Sequence, residues 1–245
     1  MNRSAMLALI TVLLAPPPAA WAGPDGTGAC PASVDFETPD KPLENLSAAI
    51  KSGRPVEILV LGSASTVAHG DSGYPHFMLK ALAAALPNVR FHLTVQGGRG
   101  LTAGVMLDQL RGALKRGPVP LVIWQTGTVE AVQGIHPEEL EDVLEEGADL
   151  VTAHGGDIIL VDSQFSRFLR ANVNVDSYEQ AMAATAMLPN VGLFHRFDLM
   201  HSWVHGGILD LERTDVSQQP AAIARLSQCI GTALARFVLN GLDRS

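Results

Sequence analysis

Three apolar, β-branched runs, each stopping at a cluster of glycines and small hydroxyl residues, restrict this chain more than any other feature. Val56-Glu57-Ile58-Leu59-Val60-Leu61 ends in Gly62-Ser63-Ala64-Ser65-Thr66. Phe91-His92-Leu93-Thr94-Val95 runs into Gln96-Gly97-Gly98-Arg99-Gly100, and Leu121-Val122-Ile123-Trp124 runs into Gln125-Thr126-Gly127-Thr128-Val129-Glu130. Such runs are strands buried on both faces, as in a parallel sheet. The loops that follow them gather at the carboxyl edge, where open α/β sheets hold their binding crevices. Amphipathic stretches predict helices over Leu43 to Lys51, Pro75 to Leu86, Thr102 to Arg116 and Pro137 to Ala153, and again over Ser177 to Leu188, Phe197 to Val204 and Pro220 to Leu239. The second strand is predicted over Val89 to Val95, and further strands fall at Asp157 to Val161 and Val191 to Phe194. Strand alternating with helix through right-handed crossovers predicts an α/β chain, a three-layer α/β/α domain on a five-stranded parallel sheet.

With 245 residues, 47% of them apolar, the chain can bury one substantial core, and no linker or composition shift divides it. The opening segment stands apart. Asn2 and Arg3 precede an apolar run from Ala5 to Leu14, then prolines, then Ala20-Trp21-Ala22, the small-x-small pattern of a cleavage site. Residues 1–22 therefore read as a signal peptide and 23–245 as a single domain, exported to the periplasm or secreted. The apolar run is far shorter than the roughly 20 residues a membrane span needs, so no stable span is expected. An oxidising destination makes Cys30 and Cys229 a candidate disulfide, tying the amino-terminal arm to the last helix; two separate buried thiols are the alternative. Neither cysteine has a CxxC partner, which argues against redox catalysis and zinc. A net charge of −8 without a basic run excludes nucleic acid as a partner and disfavours anionic membrane surfaces. Nothing in the sequence indicates a protein partner.

On Gly62-Ser63-Ala64-Ser65-Thr66, the glycines after the second strand and Gly127-Thr128-Val129-Glu130 after the third, the chain resembles the SGNH or GDSL hydrolases, esterases and lipases with a flavodoxin-like sheet. The resemblance implies a Gly-Asp-Ser at the end of the first strand, with serine as nucleophile, and an oxyanion hole from a glycine and an asparagine in the next two loops. Here Ser63 stands at the Asp position, Ala64 at the nucleophile and Val129 at the asparagine, whereas Gly100 fits the glycine. The family's base lies in an Asp-x-x-His segment just before the last helix. Asp198-Leu199-Met200-His201 spells that pattern but follows directly on the fifth strand, and Leu209 to Asp215, where the motif belongs, has no histidine.

The implied function is therefore binding without hydrolysis, of a glycan or an acylated small molecule, or assistance to an active relative. Ser63, Ser65, Arg99, Gly100, Thr126, Thr128, Glu130 and Gln164 are expected to line the crevice, with Arg99 and Glu130 paired across it at the wet rim. The alternative is an active carboxylester hydrolase with Ser63 or Ser65 as nucleophile and His201 as base. His201 and His205 have the spacing of a zinc pair on a helix, but the glutamate of a zinc protease is missing between them, and no metal is assigned. Gly98-x-Gly100-x-x-x-Gly104 resembles a dinucleotide turn without the acid that reads the ribose, so no cofactor is assigned.

Overall fold

The computed structural model describes residues 30–67 and 70–242; the signal peptide expected at 1–22 lies outside the described residues. The elements follow the apolar pattern in order. Helix α1 (Glu44–Lys51) leads into β1 (Val56–Gly62), which is followed by the short α2 (Ala64–Val67) and by α3 (Tyr74–Ala85). Next come β2 (Phe91–Gly97), α4 (Ala103–Leu114), β3 (Leu121–Gln125), α5 (Thr128–Gln133) and α6 (Pro137–Ala153). The chain then forms β4 (Asp157–Val161), α7 (Arg167–Asn172), α8 (Val175–Thr185), β5 (Val191–Phe194), α9 (Arg196–His205) and α10 (Gln219–Gly241).

All strand pairs are parallel, in the order β2-β1-β3-β4-β5, so β1 and β3 lie side by side in the interior of the sheet. Alternation along β1 separates two cores. Ile58 and Val60 face α1, α3, α9 and α10, whereas Leu59 and Leu61 face α4, α6 and α8. The three-layer architecture expected from the sequence is thus present. Strand β2 begins and ends two residues later than its periodicity predicts, because Val56 to Gly62 pair in register with Phe91 to Gly97.

Helix α10 is long and apolar enough in composition to cross a bilayer. Its apolar face is instead used inside the protein, with Ile230, Ala233, Leu234, Phe237 and Val238 all buried. It approaches α3 so closely that a Cβ on Gly231 would lie 2.5 Å from the Tyr74 carbonyl oxygen. Cys30 and Cys229 are joined, with Cα atoms 5.4 Å apart, and this fastens the amino-terminal arm to α10. Trp203 Nε1 donating to the Pro31 carbonyl at 2.6 Å and Arg236 donating to Glu37 at 2.8 Å hold the same arm.

Candidate functional site

The loops after β1 and β3 meet over one residue, Gln125, at the end of β3. Its side chain is buried, and the amide is fully committed to hydroxyls of the β1 loop. Nε2 donates to Ser63 Oγ at 3.2 Å and to Ser65 Oγ at 2.9 Å; Oε1 accepts from Thr66 Oγ1 at 3.0 Å and from Ser65 Oγ at 3.3 Å. Gly62 makes this turn possible, since a Cβ there would sit 2.0 Å from Thr66 Oγ1. Thr66 continues to the buried Tyr74 hydroxyl at 3.4 Å. Ser63 and Ser65 are therefore held by an amide, which has no basicity with which to take a proton. Among the described residues no histidine nitrogen is hydrogen-bonded to either serine.

The candidate histidine lies in different company. His201 is exposed on α9 and its ring rests against Phe165, with centroids 4.8 Å apart; the His205 ring is 6.4 Å away. In the segment leading to α10, where the resemblance requires Asp-x-x-His, the chain reads Asp210-Leu211-Glu212-Arg213. The Arg213 side chain is 78% exposed, and a guanidinium cannot act as a base near neutral pH. A literal Gly-Asp-Ser does occur, Gly70-Asp71-Ser72, in a 3-10 turn well past the end of β1. Its Asp71 pairs with His76 Nε2 at 3.3 Å, and His76 Nδ1 is buried without a partner.

Ser63, Thr126, Thr128, Val129 and Glu130 come together with Leu101, Met106 and Gln125. The space between them has a cavity volume of about 0 Å³, too narrow for a water molecule. Thr128 Oγ1 accepts from the Gln164 backbone N–H at 3.3 Å, which draws the β3 and β4 loops together. Thr126 is buried with its hydroxyl unpartnered. Arg99 and Gly100 do not line this closed space; both are exposed, with Gly100 at φ +75°.

Glu130 corrects the expected pairing across a wet rim. It is 1% exposed, and both its oxygens accept backbone N–H groups, from Ala103 at 2.6 Å and Gly127 at 2.8 Å. This carboxyl group satisfies the first residue of α4 and the residue preceding α5, whose Gly127 has φ +91°. Arg99, on the surface, forms no ion pair with it. A helix start had already claimed the acid that the sequence offered to solvent.

Sequence reasoning also missed a buried charged cluster at the ends of β4 and β5. Asp162 and Arg196 are both nearly inaccessible. Asp162 Oδ1 accepts the Phe197 N–H at 2.8 Å, and its other oxygen lies 3.8 Å from His195 Nδ1. Burial, then the nearby Glu179 charge, raises the Asp162 carboxyl well above the usual range, against the Phe197 hydrogen bond and Arg196. Burial lowers the Arg196 guanidinium, opposed by Tyr74, Asp162 and Glu179, and its Nε has no partner. The only available signal was polar residues directly following two apolar strands.

A carboxyl whose folded pKa lies above its unfolded one stabilises most below the unfolded value and loses that contribution as pH rises through the folded value. Asp162→Asn keeps an acceptor for Phe197 and removes the buried charge. It is expected to raise the melting temperature near neutral pH, the gain shrinking as pH falls and vanishing only below the unfolded aspartate pKa of about 3.9, where the aspartate is protonated in both states. Melting curves of both proteins across that range check this; a lower melting temperature at neutral pH would mean that the Arg196 attraction outweighs the burial of charge.

A larger concavity, about 610 Å³, lies at the opposite edge of the sheet, between α1, the start of β1 and the turn from α4 to β3. That is the amino end of the strands, away from the loops that carry chemistry in open α/β sheets.

Comparison with known proteins agrees with this geometry. Residues 29–244 match the sequence profile of the Non-GDSL lipase-like family. No curated protein matches the sequence. Among solved structures, LAE5, described as an alpha/beta hydrolase enzyme from the metagenome of Lake Arreo, Spain, superposes with a TM-score of 0.57 at 19% identity, over 73% of this chain and 96% of its own. Axe2, an acetylxylan esterase from Geobacillus stearothermophilus solved as its S15A catalytic mutant, gives 0.56 at 16% identity, over 70% and 91%. TesA gives 0.53 at 19% identity, over 69% and 95%. At these identities the likeness is one of fold, and the fold is that of the SGNH/GDSL hydrolases.

Proposed function

Because the chain belongs to the Non-GDSL lipase-like family while Ala64 stands at the nucleophile position, we propose that it is an exported SGNH-fold protein that binds an acylated ligand without hydrolysing it. One observation carries this reading. The methyl group of Ala64 cannot form an acyl intermediate, and the hydroxyls on either side of it, Ser63 and Ser65, are both held by the Gln125 amide. Restoring one part of a site whose members act together recovers little. Val129 supplies no donor for an oxyanion, and loss of one such donor alone lowers the rate by about 10²–10³. The apolar leader at residues 1–22 supports export, as does the disulfide, since such bonds persist in oxidising compartments.

The test is exposure of the mature protein to a fluorophosphonate probe and to short-chain nitrophenyl esters, with Ala64→Ser in parallel. We expect no labelled serine, and turnover at background in both proteins. Labelling of Ser63 or Ser65, with turnover abolished by its replacement with alanine, would establish the hydrolase reading instead. Acetylated xylo-oligosaccharides belong in the panel, because one structurally similar protein is an acetylxylan esterase.

A further inference from the structure

The closed space beside Ser63 has no room for an acyl chain, but a neighbouring cavity has. A cleft of about 130 Å³, partly open to solvent, lies between the loop after β4, α9, the segment from Leu209 to Glu212, and α10. Its walls are largely apolar, formed by Phe165, Met200, Trp203, Leu209 and Leu226. An apolar cavity of about 150 Å³ holds a benzene ring, so this one accommodates roughly a chain of four or five carbons.

Its polar lining narrows the choice. Gln164 lines the cavity; its backbone N–H is bonded to Thr128, and its side-chain amide has no hydrogen-bond partner among the described residues. An amide offers both a donor and an acceptor, which suits a carbonyl group. Asp210 and Glu212 line the same cavity, locked in place from outside. Arg167 donates to both Asp210 oxygens, at 3.0 and 2.7 Å, and Glu212 accepts from Ser166 Oγ at 2.7 Å and from the Arg167 N–H at 3.1 Å. The Arg167 hydrogen bond holds Asp210 below the usual carboxylate range, so it is ionised near neutral pH. An anionic ligand is disfavoured because its carboxylate would lose its hydration in a largely apolar cavity, and the acids at the wall, although paired with Arg167, offer it no free cation.

We propose that this cavity is an acyl-binding site, taking a chain of about four or five carbons whose neutral ester or amide carbonyl meets the Gln164 side chain. The assignment rests on the ligand-binding reading above and supplies it with a seat. It also accounts for α9, because Met200 and Trp203 come from the helix inserted between β5 and the segment before α10.

The test uses the full mature protein with methyl-labelled methionine, the Met200 signal being assigned by its loss in Met200→Leu. Pentanamide should shift that signal saturably, with a dissociation constant on the order of 1 mM for so small a ligand. Pentanoate near neutral pH should bind at least roughly tenfold more weakly, as expected for a carboxylate losing its hydration with no free cation to meet it. Gln164→Ala should weaken pentanamide by roughly fivefold or more through the lost hydrogen bond. Leu226→Phe, which fills the cavity, should abolish the shift, and Val204→Phe serves the same purpose from α9 if the first variant does not fold. An unmoved Met200 signal, or unchanged binding in the filled variant, would overturn the site. Serine labelling by the fluorophosphonate with pentanamide binding intact would remove only the non-hydrolytic reading. A protein that resists the probe and ignores pentanamide would lose only the acyl site.

Discussion

Replacing both Cys30 and Cys229 with serine is expected to lower stability by about 5 kcal/mol, one of the two largest effects anticipated in this protein. The bridge spans 199 residues, so it restrains nearly the whole described chain in the denatured state. In the loop-entropy account, closure of so long a loop stabilises by that amount, and engineered bridges often deliver less. In the native state the arm stays in place without the bridge, because it keeps its other fastenings to the carboxyl-terminal layer: Trp203 to Pro31, Arg236 to Glu37, and Asn240 to the Glu37 carbonyl at 2.7 Å. Urea unfolding of the oxidised protein, the reduced protein and the double variant provides the measurement. The reduced protein and the variant should coincide, both well below the oxidised form. If reductant leaves the midpoint unmoved, the bridge does not contribute in solution.

The second large effect is expected at Glu130, a residue that looks like a surface acid in the sequence. Glu130→Ala leaves the N–H groups of Ala103 and Gly127 buried without partners. At about 1–3 kcal/mol for each orphaned group, the loss is about 2–6 kcal/mol. For a domain of this size each kcal/mol lowers the melting temperature by about 2–4 °C. Glu130→Gln keeps one acceptor but turns a donor toward the second N–H, and it should fall about midway. The two donors belong to the start of α4 and the residue preceding α5, so hydrogen exchange should quicken at both places together in Glu130→Ala. A drop within about 1 kcal/mol, the usual range for exposed acids, would place Glu130 at the solvent rim after all.

These two sites differ in how far they could be read from the sequence. The Cys30 to Cys229 bridge was legible because the chain has just two cysteines and its opening segment reads as an export leader. The Glu130 role depended on Ala103, 27 residues away, and nothing in the spelling Gly127-Thr128-Val129-Glu130 announces that partner. The same holds for Gln125, which binds hydroxyls about sixty positions earlier in the chain. Its one visible mark was being the polar residue that closes an otherwise apolar strand. The short helices α5 and α7 were also missed. Each is six residues long, too short for an apolar periodicity to show, and Ser166 and Glu212 fasten the start of the second.

What the sequence determined by itself was the layered sheet and an alanine at the position where the family resemblance puts the nucleophile. Long apolar, β-branched runs must be buried on both faces wherever they lie, and the helical stripes between them have only those faces to cover. Ala64 needs no structure to be recognised as lacking a hydroxyl. The tertiary structure alone decided that the crevice beside Ser63 is closed, that Gln125 holds its neighbours, and that a cavity lies between α9 and the segment held by Arg167. The reason is physical. Periodicity reports which side of an element turns away from water, a property of near neighbours along the chain. The identity of the group facing it, and the volume left between them, depend on residues brought together only when distant segments pack.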